Sequence, residues 1–169
     1  WSAVWVRPAL GETKETDIKA VLLYHFTRFV SWPNERLPDQ TSPVVIGILG
    51  RDPFGAGLDE TIRGEMVGGR MIQIKRFQKV EDVHACHVLF ISDSEVTRID
   101  EILARFNKRS VLTVADLENF CHRGGMVGFK TERNKIQIEI NLDAVNADGG
   151  LAISSRLLRQ ARIIRTKGE

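Results

Sequence analysis

The chain has 169 residues, of which 43% are hydrophobic and 27% are charged, and its formal net charge is +2. This size and composition predict one ordinary globular domain and exclude a disordered, collagen-like or coiled-coil chain. The nearly balanced charge favours no nucleic-acid partner. No apolar run reaches the roughly 18–20 residues that a membrane-spanning helix needs.

Residues 1–16 precede the first periodic pattern. They carry a short apolar stretch before Arg7 and then Ala9-Leu10-Gly11, which faintly resembles the small-residue site at which signal peptides are cleaved. We expect residues 1–16 to be an N-terminal extension, either the end of a signal peptide or a remnant of expression, and residues 17–165 to form the domain.

The first half of this domain alternates helix and strand. Residues 17–31 repeat apolar side chains every three or four positions, which predicts a helix that Pro33 ends. VVIGILG (44–50) is continuously apolar, as is typical of a parallel strand buried on both faces. A short helix over 54–63 and an alternating strand over 70–77 follow.

The alternation continues through the middle of the chain. HVLFIS (87–92) and SVLTVAD (110–116) predict two further strands, with a helix over 94–106 between them. LENFCHR, which comes next, predicts a short helix that Gly124-Gly125 ends.

The pattern changes at the C-terminal end. GMVGFKTERNKIQIEIN predicts a β-hairpin with its turn at 131–134, followed by one helical turn over 141–146. Ser154 or Ser155 caps a last helix, which carries Leu157, Leu158, Ala161 and Ile164. We therefore predict a single α/β domain, with a mixed, mostly parallel sheet flanked by helices and a C-terminal β-hairpin and helix.

The segment GRDPFGAG (50–57) lies between a buried strand and a helix, where phosphate-binding loops occur. It lacks the Lys and Ser/Thr of a P-loop and the glycine spacing of a dinucleotide fingerprint. Backbone amides at the helix start can still hold an anion or metabolite beside Arg51, Asp52 and Phe54. The alternative is a turn that uses Gly and Pro only for its geometry.

The two cysteines, Cys86 and Cys121, leave open a disulfide or two free buried thiols. If the strands at 87–92 and 110–116 are parallel neighbours, the two cysteines lie at the same edge of the sheet, and a bridge requires their Cα atoms to approach to about 5.5–6 Å. With the neighbouring His84, His87 and His122 they would supply zinc ligands if the two segments met, but the spacing fits no known zinc motif. We predict no metal site.

No arrangement of residues in the sequence indicates catalysis. Ser154-Ser155 lacks the G-x-S-x-G context of a nucleophile, and Asp52, Asp59 and Glu60 are acids of the kind that helix N-termini attract. We predict a protein that is not an enzyme and that uses no cofactor.

Six segments of the chain, in order, resemble the YfiR family and together cover residues 17–165. They are IKAVLLYHFTRFVSWP, VVIGILGRDPFG, CHVLFIS, VLTVADLENFCHRGGMVGF, IQIEINLDAV and SSRLLRQARII. The resemblance implies a periplasmic, non-catalytic repressor. Such a protein binds the periplasmic sensor region of an inner-membrane diguanylate cyclase, or of a histidine kinase in related systems, and so lowers cyclic di-GMP and restrains biofilm formation.

The resemblance has further implications. It implies a homodimer and an outer-membrane lipoprotein that sequesters the repressor, and it favours a bridge between Cys86 and Cys121. A small-ligand sensor that uses the loop at 50–57 is the alternative function. An enzyme of flavodoxin-like architecture is a third reading, which no site supports.

Two groups of residues are candidates for partner contact. The predicted helix over 17–31 is apolar over more than one stripe, so Tyr24, with the following Trp32, either packs under the next loop or meets a partner. In the hairpin, polar side chains alternate with isoleucines and therefore face outwards, and the C-terminal segment is basic. The second group is Arg133, Gln137, Glu139, Arg156 and Arg159.

Overall fold

The computed structural model describes the backbone of residues 12–166 and the side chains of residues 15–166. The predicted extension over 1–16 therefore lies mostly outside the described residues. Five α-helices occur within them: α1 (Glu12–Phe29), α2 (Ala56–Ile62), α3 (Ile99–Phe106), α4 (Leu142–Asp148) and α5 (Ser155–Gln160). Ten strands alternate with these helices: β1 (Val30–Ser31), β2 (Val44–Leu49), β3 (Met66–Val67), β4 (Arg70–Phe77), β5 (Val88–Ile91), β6 (Leu112–Ala115), β7 (Val127–Glu132), β8 (Lys135–Asn141), β9 (Ala152–Ile153) and β10 (Arg162–Ile164). Three short 3-10 helices cover Asn34–Arg36, Val80–Asp82 and Asp93–Arg98.

Eight of these strands form one sheet in the order β10-β8-β7-β6-β5-β2-β4-β3. All neighbours are parallel except the pairs β7–β8 and β3–β4. The central order β4-β2-β5-β6-β7 is that of an open, doubly wound α/β sheet, in which the direction of winding reverses between β2 and β5. The predicted mixed, mostly parallel sheet is confirmed.

Each face of the sheet carries its own apolar core. The α1-side core joins α1, α2, α4 and α5 to the sheet, and within it Phe26 of α1 stacks on Phe129 of β7 with ring centroids 6.0 Å apart. The α3-side core joins α3 to the other face through Ile99, Ile102 and Phe106. Because β2 and β5 are buried along their whole length, they read in the sequence as unbroken apolar runs.

The hairpin β7–β8 closes with a two-residue turn. Arg133 and Asn134 have φ values of +50° and +60°, as expected of the turn type that matches the twist of paired strands. This register places Ile136, Ile138 and Ile140 in the α1-side core. The polar side chains between them therefore face the opposite side, as the sequence predicts.

The C-terminal segment differs from the prediction. The last helix, α5, ends at Gln160, and Ile164 belongs to strand β10, which pairs in parallel with β8. The three residues Arg162–Ile164 contain two β-branched side chains, and β8 would otherwise present an open edge. The segment Arg162–Ile164, which the periodicity assigned to a helix, therefore joins the sheet as an edge strand.

Two further differences have local causes. LENFCHR forms turns instead of a helix, because Asn119 has φ +59° and breaks the helical backbone. The small antiparallel sheet in which β1 pairs with β9, with Val30 opposite Ile153, was not predicted. Two-residue strands are too short to leave a periodic pattern.

Candidate functional site

The loop at 50–57 follows the carboxyl end of β2, beside the point where the sheet reverses its winding. Gly50 has φ +90°, and a Cβ built on it would lie 2.4 Å from Ser94 Oγ. The Arg51 amide donates to that hydroxyl at 2.9 Å, while the exposed Arg51 guanidinium pairs with Asp93 at 2.8 Å. The segment after β5 thus fills the crevice in which open α/β sheets bind ligands.

Most backbone donors of this loop are already in use. Asp52 accepts hydrogen bonds from the amides of Phe54 at 2.8 Å and Gly55 at 3.2 Å, and its carboxylate pairs with Arg76 at 2.7 Å. Arg76 also pairs with Asp59 at 2.7 Å, and this hydrogen bond lowers the pKa of Asp59. Two carboxylates therefore occupy the donors that an external anion would need. The structure does not support the predicted ligand site at Arg51, Asp52 and Phe54.

Phe54 has a structural role instead. It is buried in the α1-side core and meets the ring of Phe90 edge-on, with centroids 4.9 Å apart. The structure agrees with the alternative interpretation of the loop at 50–57. The loop is a turn whose polar side chains bond to its own backbone and to Arg76.

The aromatic residues at and after the end of α1 make most of their contacts within the domain. Tyr24 packs against the α1-side core and its hydroxyl donates to Glu65 at 2.9 Å. Trp32 also packs against that core, and its indole Nε1–H donates to the carbonyl of His87 at 3.1 Å. Both side chains are half-buried, so each offers only part of its surface to a partner.

His87, which receives this contact, is a buried neutral histidine. The Val45 amide donates to His87 Nδ1 at 3.0 Å, and His87 Nε2–H donates to the carbonyl of Arg36 at 2.8 Å. Burial lowers the pKa of His87. Within the described residues, no group of three or more His, Cys, Asp or Glu side chains is placed to hold a metal ion.

The two cysteines are free and buried at separate places. Cys86 Sγ lies 2.7 Å from the position of a Cβ at Gly47 on β2, and Cys121 Sγ lies 3.3 Å from the corresponding position at Gly128 on β7. Three strand spacings separate β2 from β7, a distance of about 14 Å. Since a bridge requires Cα atoms within about 7 Å, the predicted disulfide is not formed in this fold.

The predicted partner residues fall on two surfaces. Arg133 lies at the tip of the hairpin, and the half-buried Gln137 and Glu139 face away from the α1-side core. The exposed Arg156 and Arg159 lie on α5, which packs on the α1 side through Leu157. The structure therefore does not bring the five residues together.

The first of these surfaces is larger than the sequence indicated. The α3-side core includes no residue of β7, β8 or β10, and the polar side chains on this face of the three strands are exposed or half-buried. We call it the hairpin surface. It consists of Lys130, Glu132, Arg133, Lys135, Gln137, Glu139 and Arg162.

The sequence analysis did not find a charge cluster at the other face, which is centred on one buried lysine. Lys19 of α1 is only 5% exposed and pairs with Glu15 at 2.7 Å and with Asp116, the residue after β6. Glu15 also accepts from the hydroxyl of Thr131 at 2.6 Å, and its hydrogen bond with Lys19 lowers its pKa. The cluster anchors the first part of α1 to β6 and to the hairpin. Only the spacing of Glu15 and Lys19, four apart on a helix, is visible in the sequence.

The family model described as YfiR/HmsC-like matches residues 16–162 of the chain. The chain belongs to the YfiR/HmsC-like family. No curated protein matches it significantly.

A crystal structure titled as a conserved domain protein from Vibrio cholerae O1 biovar El Tor is similar in fold to this YfiR/HmsC-like chain. The TM-score is 0.50 and the sequence identity 13%, over 77% of this chain and 56% of that one. The chain therefore spans little more than half the length of that protein, and the likeness shows the fold alone.

The YfiR/HmsC-like family is known as a regulatory family. The family suggests a periplasmic regulator in diguanylate cyclase signalling, whose partner in general terms is a membrane signalling protein. Within the part of the chain that the structure describes, no helix is both long and apolar enough to span a bilayer.

Proposed function

We propose that this domain is a non-enzymatic repressor that binds the periplasmic sensor region of an inner-membrane diguanylate cyclase and inhibits it, so that cyclic di-GMP falls. The observation that carries the proposal is the family match over residues 16–162, which includes almost every described element. A histidine kinase with a similar sensor region is a partner of the same kind.

Inhibition requires a difference in affinity. A bound protein shifts the cyclase towards inactivity only if it binds the inactive arrangement of the sensor more tightly than the active one. Each factor of ten in that preference corresponds to about 1.4 kcal/mol. The repressor therefore needs a rigid contact surface that distinguishes two arrangements of its partner.

The hairpin surface fits this requirement. Six consecutive residue pairs join β7 to β8, from Val127 opposite Ile140 to Glu132 opposite Lys135, and the isoleucines beneath them are buried. Rigid strands thus present charged and polar side chains of both signs to one side. Charges at the rim of an interface influence association rate and partner choice more than affinity.

Arg156 and Arg159 form the competing surface. Because α5 lies on the opposite face of the sheet, a partner that touched both surfaces would have to pass around the edge strand β10. The two surfaces can therefore be tested separately.

The test is binding of the purified domain to the isolated periplasmic sensor region, followed by cyclase activity in membranes. The sensor is first identified by a pull-down from periplasm-facing membrane proteins. We expect the pair of substitutions Gln137→Lys and Glu139→Lys to weaken both binding and inhibition while the melting temperature stays close to that of the unmodified protein.

Arg156→Glu with Arg159→Glu is the matched comparison, since both side chains are exposed. If that pair weakens binding and the hairpin pair does not, the contact surface is α5. If the domain binds no sensor region and does not alter cyclase activity, the proposed function is wrong.

A further inference from the structure

A cavity of about 570 Å³ lies at the amino end of the parallel strands. Its walls come from residues 83–86 before β5, from the end of α3, and from Arg109 and Val111 before β6. Arg36, from the short helix after Trp32, completes the lining. The loop at 50–57 lies at the opposite end of the strands, so the two places are distinct.

The lining of this cavity is strongly basic. Arg36, Arg105, Arg109 and His84 contribute to it, and the described lining residues include no Asp or Glu. Within the described chain, none of the three arginines forms an ion pair. Elsewhere in the protein, carboxylates pair with several arginines, among them Arg51, Arg76, Arg98 and Arg123. Cations that converge on a concave surface without a counter-charge repel each other and attract an anion.

Arg36 is held in place by hydrogen bonds from its side chain and to its backbone. Its guanidinium donates to the carbonyl of Cys86, and its own carbonyl accepts from His87 Nε2 at 2.8 Å. Its Nε is buried and has no hydrogen-bond partner among the described residues. Because solvent does not reach this atom, a ligand in the cavity does not reach it either, and Arg36 contributes its positive charge to the site.

The backbone around Arg109 is constrained as well. The residues on either side, Lys108 and Ser110, have φ values of +56° and +53°, which side chains with a Cβ rarely adopt. Asp148 of α4 fixes Ser110 by accepting from its amide at 2.9 Å and from its hydroxyl at 3.1 Å. On the facing wall, Ala85 has φ +47°. Such conformations persist where the surroundings hold them, and they gather at binding sites.

We propose that this cavity binds a small anion that carries a phosphate group. Arg105 and Arg109 supply planar guanidinium groups that match phosphate oxygens in pairs, and Arg36 adds a third positive charge to the wall. Val83, Phe106 and Val111 provide an apolar wall for the remainder of the molecule. The volume is within the range of small-molecule sites. This site is independent of the proposed repressor function.

Isothermal titration of the full chain with pyrophosphate, and separately with inorganic phosphate, tests the proposal. We expect saturable binding of one anion per chain, and at least about tenfold weaker binding in the double variant Arg105→Gln with Arg109→Gln. Arg63→Gln is the matched control, because Arg63 is an exposed arginine at the end of α2 outside this cavity. It should leave the affinity unchanged.

A separate experiment measures binding of the chain to phosphatidylglycerol vesicles. It distinguishes a lipid headgroup from a free phosphate compound as the ligand. Binding of soluble pyrophosphate that the double variant loses supports the proposal. Binding to vesicles without any soluble anion binding would overturn it, as would anion binding that the double variant retains or no saturable binding at millimolar pyrophosphate. Melting curves of all variants show whether they remain folded.

Discussion

Lys19 on α1 and Asp116 after β6 form an ion pair across 97 positions of sequence, and the lysine is almost completely buried. Glu15 shares the same ammonium group at 2.7 Å. The two carboxylates are partly exposed, whereas Lys19 would remain as a buried charge if they were neutralised. Because only the lysine is buried, removing the carboxylates should destabilise the fold more than removing all three charges.

Neutralising both carboxylates should be costly. We expect Glu15→Gln with Asp116→Asn to lower the free energy of unfolding by about 3 kcal/mol, because a buried charge without its partners is strongly destabilising. Adding Lys19→Met should recover most of the loss, since the buried charge is then gone. Urea unfolding curves measure both effects. Glu132→Gln is the control, because its ion pair with Lys130 is exposed and should contribute at most about 1 kcal/mol. Equal losses in the double and the triple variant would contradict this account.

Stability should depend on pH through His87. Burial lowers its pKa in the folded state, while the unfolded chain regains a value of about 6.5. Between these two values the unfolded state binds more protons, so the free energy of unfolding falls as the pH is lowered through about 6.5 and is fully retained above it. We expect the melting temperature to fall from about pH 7 to about pH 5, and His87→Asn to flatten that slope.

His25→Asn is the comparison for this slope. Burial also lowers the pKa of His25, but its side chain is only half-buried. We therefore expect the smaller change from that variant. A pH profile that His87→Asn leaves unaltered would show that another group titrates.

Both thiols should be inert in the native protein. Burial raises the pKa of Cys86 and of Cys121 to about 12, and the thiolate is the reactive form. We expect a thiol reagent near pH 8 to modify neither cysteine in the folded chain, and to titrate both in denaturant without reductant. Finding no thiol in denaturant would mean that the bridge absent from this structure forms in solution.

Gly47 allows Cys86 to approach β2. A methyl group at this position would lie 2.7 Å from Cys86 Sγ and 3.1 Å from the ring of Phe77. We expect Gly47→Ala to lower the free energy of unfolding by about 1–3 kcal/mol, as overpacking usually does. With Cys86→Ala in the same chain the closest contact is removed, so the double variant should lose less than the sum of the single losses.

Gly57→Ala is the control for this pair. Gly57 lies in helix α2, and a Cβ there would have no contact closer than 3.5 Å. Alanine should stabilise this helix position by about 0.5–1 kcal/mol. Additive losses at Gly47 and Cys86 would show that their contact is not what excludes the methyl group.

Local pattern predicted much of this fold. The strand at 70–77 and the hairpin follow from alternation and from turn chemistry, which act over neighbouring residues. The failures involve distant partners. The three residues of β10 became a strand because the edge of β8 was available, and periodicity within the segment carries no information about that edge.

The candidate site was predicted less well for the same reason. Cys86 and Cys121 were expected at one edge of the sheet if the strands at 87–92 and 110–116 were parallel neighbours. They are neighbours, but LENFCHR forms turns instead of a helix that returns to that edge, so Cys121 lies beside Gly128 of β7 while Cys86 lies beside Gly47 of β2. The donors of the loop at 50–57 looked available until the structure placed the Asp52 carboxylate on its amides. The pattern of the helix carries no sign of the ion pair between Lys19 and Asp116, because Asp116 is 97 positions away in sequence.

The small sheet formed by β1 and β9 has a consequence for how the molecule folds and unfolds. It joins Val30 to Ile153, so a chain segment of about 120 residues lies between the two paired strands. Bringing the ends of this segment together costs conformational entropy, and that cost rises only slowly with the length of the segment. The residues that follow α1 and the residues that precede α5 are therefore held against each other. We expect the described residues to denature in one cooperative transition in which β1 and β9 separate together, and refolding to be limited by the docking of the β9 segment onto β1.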